Sequence, residues 1–228
     1  MHAIVASDLH KSYRRGTTVT PVLRGADFRV QVGEAVFLIG PSGSGKSTLL
    51  SILGCLLTPD SGQLEILGHA VETLSAREAT ELRLRSIGFV FQRFQLIDGL
   101  SALDNVCIPL KLAGWPAGKA RRRAAELLER VGLADHLRAR PGRMSAGQCQ
   151  RVAIARALAL EPQLILADEP TASLDAHSGQ EIMTLFRALM RDHQVTAVVV
   201  THDPRIFSFA DRICEVADGR VREAETVA

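Results

Sequence analysis

The clearest pattern along the chain is a set of short, mostly apolar runs, each followed at once by glycine or polar residues. The runs cover residues 35–39, 87–91, 164–167 and 195–200. Apolar runs without alternation are typical of strands that are buried on both faces, as in a parallel sheet. Helical patterns lie between the runs, including one over 178–192. This order of elements predicts an α/β chain with a mostly parallel core sheet.

A second pattern at the N-terminus is a looser alternation of apolar and polar positions. It predicts strands over 4–9 and 22–30, joined by a polar loop that holds Tyr13. Another strand over 63–67 follows the turn residues at 58–62. Residues 212–216 and 218–221 predict a terminal hairpin.

The middle of the chain has helical periodicity instead. A first helix is predicted over 75–84. The pattern is then helical from 93 to about 143, interrupted at 98–99 and 114–116, with one amphipathic helix over 116–131. We therefore predict a helical subdomain at about 93–143, and a core formed by residues 1–92 and 144–228. The basic cluster 119–123 lies on this helix and is interpreted as a solvated face rather than a phosphate-binding patch.

The first apolar run leads into a glycine loop with the pattern G-x-x-x-x-G-K-[ST] and then into a helix. Its glycines let several backbone N–H groups point at one anion, and the helix N-terminus adds more donors. Lys46 would place a charge on the β- and γ-phosphates, and the Ser47 hydroxyl would ligate Mg²⁺. A plain turn that joins strand to helix is the alternative. The candidate phosphate-binding residues are Gly40, Pro41, Ser42, Gly43, Ser44, Gly45, Lys46, Ser47 and Thr48.

Other polar residues follow the remaining apolar runs: Gln92, Asp168 with Glu169, and His202. Ligands of open α/β sheets bind at the carboxyl ends of the strands, where these groups and the glycine loop would meet. Asp168 fits a Mg²⁺ ligand and Glu169 a base for the attacking water. The simpler structural explanation of Asp168 and Glu169 is helix capping or a surface ion pair. For His202 the simpler explanation is an ordinary core or surface histidine. Because it follows a strand at the same sheet edge, we interpret His202 as a γ-phosphate sensor.

Ser145, Gly147 and Gln148 begin a further predicted helix. Ser145 and Gln148 have the spacing of a capping box, which is a sufficient structural explanation. The same helix N-terminus also offers donors for a phosphate in its transition state. Nearly 100 residues separate it from the glycine loop, so the two groups meet within one molecule or across a dimer, and spacing does not decide between these.

The composition adds limits. With 46% hydrophobic and 23% charged residues and a net charge of +2, the chain has the composition of a globular protein and not of a nucleic-acid binder. Its four cysteines are far apart, so we expect reduced thiols. We find no signal-peptide pattern and no apolar run near the roughly 20 residues that span a bilayer. A cytoplasmic location is therefore expected.

Together these motifs resemble the ATP-binding subunit of an ABC transporter over nearly the whole chain. The glycine loop is similar to Walker A, 164–168 to Walker B with Glu169 as catalytic base, and Gln92 to the Q-loop glutamine. Residues 173–175 resemble the D-loop, His202 the switch histidine, and 145–148 the signature. Tyr13 matches the aromatic that stacks on adenine.

The resemblance implies a P-loop NTPase fold of the ABC ATPase type, with an N-terminal antiparallel β part, in a single domain over 1–228. It implies ATP and Mg²⁺ as cofactors, with Ser47, Gln92 and Asp168 around the metal, and Lys46, Gln92, Glu169 and His202 as catalytic residues. It further implies a head-to-tail homodimer in which Ser145, Gly147 and Gln148 of one subunit reach the ATP of the other, on a membrane permease at the inner face of the cell membrane, without nucleic acid.

Within the family, residues 13–16, 52–56 and 103–106 are similar to the group for lipoprotein release, macrolide export and glycolipid export. We therefore expect export or extraction of a lipoprotein, lipid or hydrophobic compound, powered for a separate permease. The alternative is a soluble ABC ATPase that acts on nucleic acid or ribosomes. One departure is Ala146, where the signature normally has glycine. If that position needs a positive φ or close approach to phosphate, the methyl group weakens the dimer.

Overall fold

The computed structural model describes residues 1–192 and 194–224. Residues 193 and 225–228, which the predicted core includes, lie outside the described residues. Two sheets are present, one of four strands in the order β2-β1-β4-β5 and one of six in the order β10-β9-β3-β8-β7-β6. The strands are β1 (His2–Arg15), β2 (Thr18–Gln31), β3 (Ala35–Ile39), β4 (Ser61–Ile66), β5 (His69–Ala70), β6 (Ile87–Val90), β7 (Leu164–Asp168), β8 (Thr196–Val200), β9 (Arg212–Ala217) and β10 (Arg220–Glu223).

The larger sheet is the predicted, mostly parallel core. Strands β9, β3, β8, β7 and β6 pair in parallel, and β10 is antiparallel to β9. The smaller sheet is antiparallel throughout. The α/β fold with an N-terminal antiparallel part is therefore confirmed.

The first hairpin is longer than its sequence pattern predicts. Strands β1 and β2 pair along almost their whole length, and Tyr13 lies opposite Thr20 within the ladder. The prediction of a polar loop at Tyr13 is therefore wrong. Several register shifts interrupt this ladder, for example between Ala6 and Leu9. Such bulges disturb strict alternation, which is why the pattern indicated only the regular parts of the two strands.

Six α-helices accompany the sheets among the described residues. They are α1 (Lys46–Leu53), α2 (Ala76–Ser86), α3 (Ala102–Leu112), α4 (Ala117–Arg130), α5 (Ala146–Ala157) and α6 (Ala176–Asp192). The predicted helical pattern from residue 93 is wrong for its first part, because 93–101 form turns and irregular chain, which include the predicted interruption at 98–99. Phe94 and Gln95 there have φ of 58° and 51°, which is incompatible with a right-handed helix.

The core lies on both sides of the larger sheet. On β3, Phe37 belongs to one buried cluster, and Val36 and Leu38 belong to the other. Neighbouring side chains of a strand point to opposite faces of the sheet. When both faces are buried, every position of the strand therefore requires an apolar side chain. Residues of α3, α4, α5 and α6 cover one face, whereas α1 and the antiparallel sheet cover the other. The continuous apolar runs follow from this arrangement.

The buried cluster that contains Phe37 includes residues of the parallel sheet as well as residues of α3 and α4. The division into a core and a helical subdomain at about 93–143 stays a prediction. In the described residues, no helix has the length and apolar character required to cross a membrane.

Candidate functional site

The glycine loop connects β3 to α1 at the carboxyl end of the parallel sheet. Gly40 has a φ of 138°, and a Cβ atom there would lie 2.3 Å from the backbone oxygen of Val216. Gly45 has a φ of 107°, and its Cβ would lie 3.1 Å from the backbone oxygen of Val22. Both positions combine a left-handed backbone with close contacts, so only glycine permits this path of the loop.

Lys46 is the first residue of α1 and is buried within the loop. Its ammonium group donates to the backbone oxygens of Gly40 at 2.9 Å and Pro41 at 2.8 Å. A compact cation held next to a helix N-terminus makes the loop strongly attractive to an anion.

Ser47 and Asp168 meet although 121 positions separate them. The Ser47 hydroxyl donates to Oδ1 of Asp168 at 3.3 Å. Burial raises the pKa of the Asp168 carboxyl, and the neighbouring Glu169 raises it as well, whereas the Ser47 hydrogen bond and Lys46 oppose the rise. Mg²⁺ is held by oxygen ligands, commonly one or two carboxylates together with substrate phosphates. The hydroxyl and the carboxylate therefore fit Mg²⁺.

Glu169 and His202 form a second pair at the same edge. Oε1 of Glu169 lies 2.7 Å from Nδ1 of His202, and the backbone N–H of His202 donates to Oε2 at 3.4 Å. The Glu169 side chain is 15% exposed, whereas that of His202 is 70% exposed. Glu169 has a φ of 49°, and its N–H donates to the oxygen of Val200 at 2.9 Å. A left-handed glutamate is strained, and such strain persists where the surrounding structure fixes the residue.

These groups line one cavity of about 750 Å³. The sequence-predicted residues on its wall are Gly40, Pro41, Ser42, Gly43, Gly45, Lys46, Ser47, Thr48, Gln92, Asp168, Glu169 and His202. Val22 and Val200 also line it, and sequence reasoning missed both. Nothing in the pattern distinguishes these valines from other strand residues. Ser44, within the loop, is buried and does not line the cavity, and its hydroxyl oxygen has no hydrogen-bond partner among the described residues.

Tyr13 is not among the described residues that line the cavity. Its hydroxyl lies 3.4 Å from Oγ1 of Thr48, which does line it, and Tyr13 is 46% exposed. An exposed aromatic ring at the mouth of the cavity is free to stack on a base. The role of Tyr13 in adenine binding stays a prediction.

The residues 145–148 also lie elsewhere, because none of them is among the described residues on the cavity wall. The capping box is present: the Gln148 N–H donates to Oγ of Ser145 at 3.2 Å, and the Ser145 N–H donates to Oε1 of Gln148 at 2.9 Å. A Cβ atom on Gly147 would have no neighbour within 4 Å. Packing within the chain therefore does not explain glycine at this position.

Two further contacts hold the segment that follows β6. The Ser173 hydroxyl donates to the backbone oxygen of Gln92 at 3.1 Å. The Arg156 guanidinium donates to the backbone oxygens of Phe94 and Gln95. Helix α5 is thereby tied to the two left-handed residues that follow Gln92. Sequence reasoning missed Arg156, because an arginine near the end of a helix carries no signal of a distant partner.

Comparison with known proteins gives a consistent family. Residues 23–172 match the family model described as ABC transporter. An uncharacterized ABC transporter ATP-binding protein of Thermotoga maritima is 50% identical over 96% of this chain and 93% of its own length. A macrolide export ATP-binding/permease protein MacB of Syntrophobacter fumaroxidans is 46% identical over 96% of this chain, which spans only 31% of that relative.

Solved structures agree with the fold. A dimeric, post-hydrolysis state of the ATP-binding cassette MJ0796, bound to ADP and Pi, has a TM-score of 0.90 at 40% identity. A second dimeric structure of MJ0796, described as a bacterial ABC transporter cassette, has a TM-score of 0.90 at 41% identity. Both alignments cover 99% of this chain and 99% of the other. The chain belongs to the ABC transporter family as an ATP-binding cassette, and its predicted ATP hydrolysis is thereby confirmed.

Proposed function

We propose that two copies of this chain close head to tail over two ATP molecules and thereby drive a membrane permease. The observation that carries the proposal is an incomplete site. The cavity gathers the glycine loop, Asp168, Glu169 and His202, whereas Ser145 and Gly147 lie outside it. A second copy supplies the missing donors if its α5 N-terminus faces the γ-phosphate. The dimeric MJ0796 cassettes support this arrangement.

Within each half, the residues have separate tasks. The loop amides and Lys46 bind the β- and γ-phosphates, and Tyr13 stacks on adenine. Glu169 accepts a hydrogen bond from the attacking water, and His202 orients Glu169 through their 2.7 Å contact. Ser47, Asp168 and Gln92 would hold Mg²⁺, which would supply positive charge beside the phosphates. Hydrolysis then reopens the dimer.

A groove of about 740 Å³ is the proposed contact with the permease. Leu56, Ile97 and Leu112 line it, and their exposed fractions are 55%, 51% and 70%. Exposed apolar residues that share one groove mark an interaction site. Gln95 and Arg156 line the same groove, so a partner seated there touches the segment that begins at Gln92. This contact would hold the subunit at the inner face of the cell membrane.

The proposed cargo is a lipoprotein, lipid or hydrophobic compound that a separate permease exports or extracts. The MacB relatives, which are named for macrolide export, support the direction of transport. The permease determines the cargo, so the cassette would supply only the ATP-driven motion.

The test uses a Glu169→Gln variant, which keeps ATP bound by slowing its hydrolysis. Size-exclusion chromatography with light scattering should show a dimer with ATP and a monomer with ADP. A tagged chain, isolated from detergent-solubilised membranes of its own cells, should carry a polytopic membrane protein. Loss of both results, together with recovery of nucleic acid or ribosomes, would contradict the proposal.

A further inference from the structure

His136 lies at the end of a short 3₁₀ turn, Ala134–His136, and contacts the signature from the same chain. Its Nε2 atom is 3.1 Å from Nε2 of Gln148. The other end of the Gln148 amide is already assigned, because Oε1 accepts the backbone N–H of Ser145 at 2.9 Å. A backbone N–H can only donate, so the atom that faces it must be the amide oxygen. The group that faces His136 is therefore the amide NH₂.

We infer that His136 is a positioning residue, which holds the signature Gln148 in place only while its imidazole ring is neutral. An amide NH₂ can only donate, so Nε2 of His136 must accept with its lone pair. The ring proton is then on Nδ1. This is the reverse of the tautomer that predominates for a free histidine side chain in water.

Protonation of the ring reverses the contact. A proton on Nε2 places two donors 3.1 Å apart. Rotation of the Gln148 amide by half a turn relieves this clash, but it then points the NH₂ group at the Ser145 N–H. Either the His136 contact or one half of the capping box is therefore lost. The affected residues form the first turn of α5, which also contains Gly147.

Histidine is the side chain whose ordinary charge change falls between pH 5 and 8, so the contact is to be tested across that range. Charged residues also lie on its own turn, on neighbouring helices and in the connecting segment. They are Asp135 on its own turn, Glu129 and Arg130 on α4, Asp104 on α3, Arg151 on α5, and Arg138, Arg140 and Arg143 in the connecting segment. Asp104 and Arg151 are engaged with Arg121 and Glu181, respectively.

The functional consequence rests on the proposed function, in which the first turn of α5 contacts the ATP of the partner copy. A displaced Gln148 then weakens closure of the dimer. The loss of one neutral hydrogen bond corresponds to a change of roughly fivefold in an equilibrium constant. We expect the ATP concentration for half-maximal dimerisation of the Glu169→Gln variant to rise by about this factor between pH 8 and pH 6.

The first experiment does not depend on the dimer. Long-range ¹H–¹⁵N correlation spectra of the full chain, labelled at histidine and recorded at pH 8 without nucleotide, report the tautomer of each ring. His136→Gln assigns the signal by its disappearance. We expect the form with the proton on Nδ1 for His136. A ring with its proton on Nε2 would overturn the inference.

The second experiment compares three substitutions in the Glu169→Gln background across pH 6–8. Glutamine in His136→Gln offers an acceptor oxygen at the position of Nε2 and does not titrate. Dimerisation of this variant should therefore no longer weaken by about fivefold between pH 8 and pH 6. Lysine in His136→Lys only donates and should resemble the low-pH state at every pH. His177→Gln is the matched control, because His177 lies exposed on α6, and it should keep the pH dependence of the parent.

The outcomes separate the two proposals. A Glu169→Gln variant that stays monomeric with ATP at pH 8 contradicts the proposed function, whereas the tautomer still tests the His136 contact. A variant that dimerises equally well at pH 6 and pH 8, or that keeps its pH dependence after His136→Gln, contradicts the role of His136 and leaves the dimer intact.

Discussion

Asp168 and Glu169 are adjacent residues with different surroundings. Asp168 ends β7, is partly buried and accepts a hydrogen bond from the Ser47 hydroxyl, so a cation would find an oxygen ligand at a partly buried position. Glu169 leaves the strand with a left-handed backbone and turns its carboxylate toward His202. One strand end thus supplies the predicted metal ligand and the proposed base.

Glu169→Gln should lower the rate of ATP hydrolysis by about 10²- to 10⁴-fold, because the amide cannot accept a proton from water. ATP binding should stay within a fewfold of the parent chain, since the glycine loop and Lys46 are unchanged. Single-turnover hydrolysis and fluorescent-nucleotide titration measure the two quantities. Glu65→Gln, on an exposed position of β4, is the control and should keep full activity. Equal activity of both variants would remove Glu169 from the mechanism.

Asp168→Asn tests the effect of burial on stability. Because burial raises the pKa of Asp168 in the folded chain above its ordinary value, the ionised carboxyl destabilises the fold at neutral pH. This penalty is absent where both states are protonated, below the ordinary pKa of the group, and it is fully present above the raised one. Urea unfolding in EDTA should therefore show a more stable variant at pH 7 and no difference near pH 2.5. A less stable variant at pH 7 would contradict this account, and binding of Mg²⁺ with ATP should weaken in either case.

At the scale of elements, hydrophobic periodicity predicted the strands that are buried on both faces. It missed the segments whose conformation depends on local backbone geometry. The strand β7 was predictable because every residue from Leu164 to Ala167 packs in a core cluster. The segment 93–101 was predicted as helical apart from a break at 98–99, but the φ values of Phe94 and Gln95 prevent a helix there. Likewise, the contact of Arg156 with these residues joins parts of the chain that no local pattern relates.

The signature shows the same limit in the candidate site. Motif spacing predicted the cavity residues from Gly40 to His202, because each follows a strand of one sheet. It left open whether position 146 needs a positive φ, and the structure shows that it does not: Ala146 is the first residue of α5 and has a helical backbone. The remaining reason for glycine at this position is close approach of a phosphate bound to another copy, which the methyl group of alanine would hinder. A single sequence contains no signal for a contact between two molecules.

Gly147→Ala separates the fold from the dimer. A Cβ on Gly147 has open space around it, so free energy of unfolding should stay equal or rise by up to about 1 kcal/mol through better helix propensity. If the partner's ATP approaches this turn, the same methyl group should weaken ATP-driven dimerisation of the Glu169→Gln variant by roughly tenfold or more. Urea unfolding and light scattering measure these effects. Undiminished dimerisation would place the ATP contact elsewhere.

Ala146→Gly is the complementary change. Removing the methyl group should lower the free energy of unfolding by about 0.5–1 kcal/mol, since glycine disfavours a helical backbone. If Ala146 obstructs closure, the Glu169→Gln background should then dimerise at lower ATP concentration, and the parent chain should hydrolyse ATP faster. Both measurements unchanged would mean that the methyl group is tolerated at the interface.

At the scale of the molecule, one short segment contributes residues to both the cavity and the groove. Gln92 lines the cavity, whereas Gln95 and Ile97 line the groove. The Ser173 hydroxyl donates a hydrogen bond to the backbone oxygen of Gln92. The Arg156 guanidinium donates to the backbone oxygens of Phe94 and Gln95. Motion of a partner in the groove can therefore reach a predicted metal ligand over a few residues of tightly held backbone.

Leu112→Asp should break this link without harming the ATPase. Leu112 is 70% exposed, so a charge there costs little in the isolated chain, but it would be desolvated under an apolar partner. We expect unchanged ATP hydrolysis by the purified subunit and loss of the membrane protein that copurifies with the parent chain. Val32→Asp, at a 53% exposed position that does not line the groove, should retain that protein. Equal recovery with both variants would mean that the permease binds another surface, because a buried aspartate in the groove is incompatible with a close apolar contact.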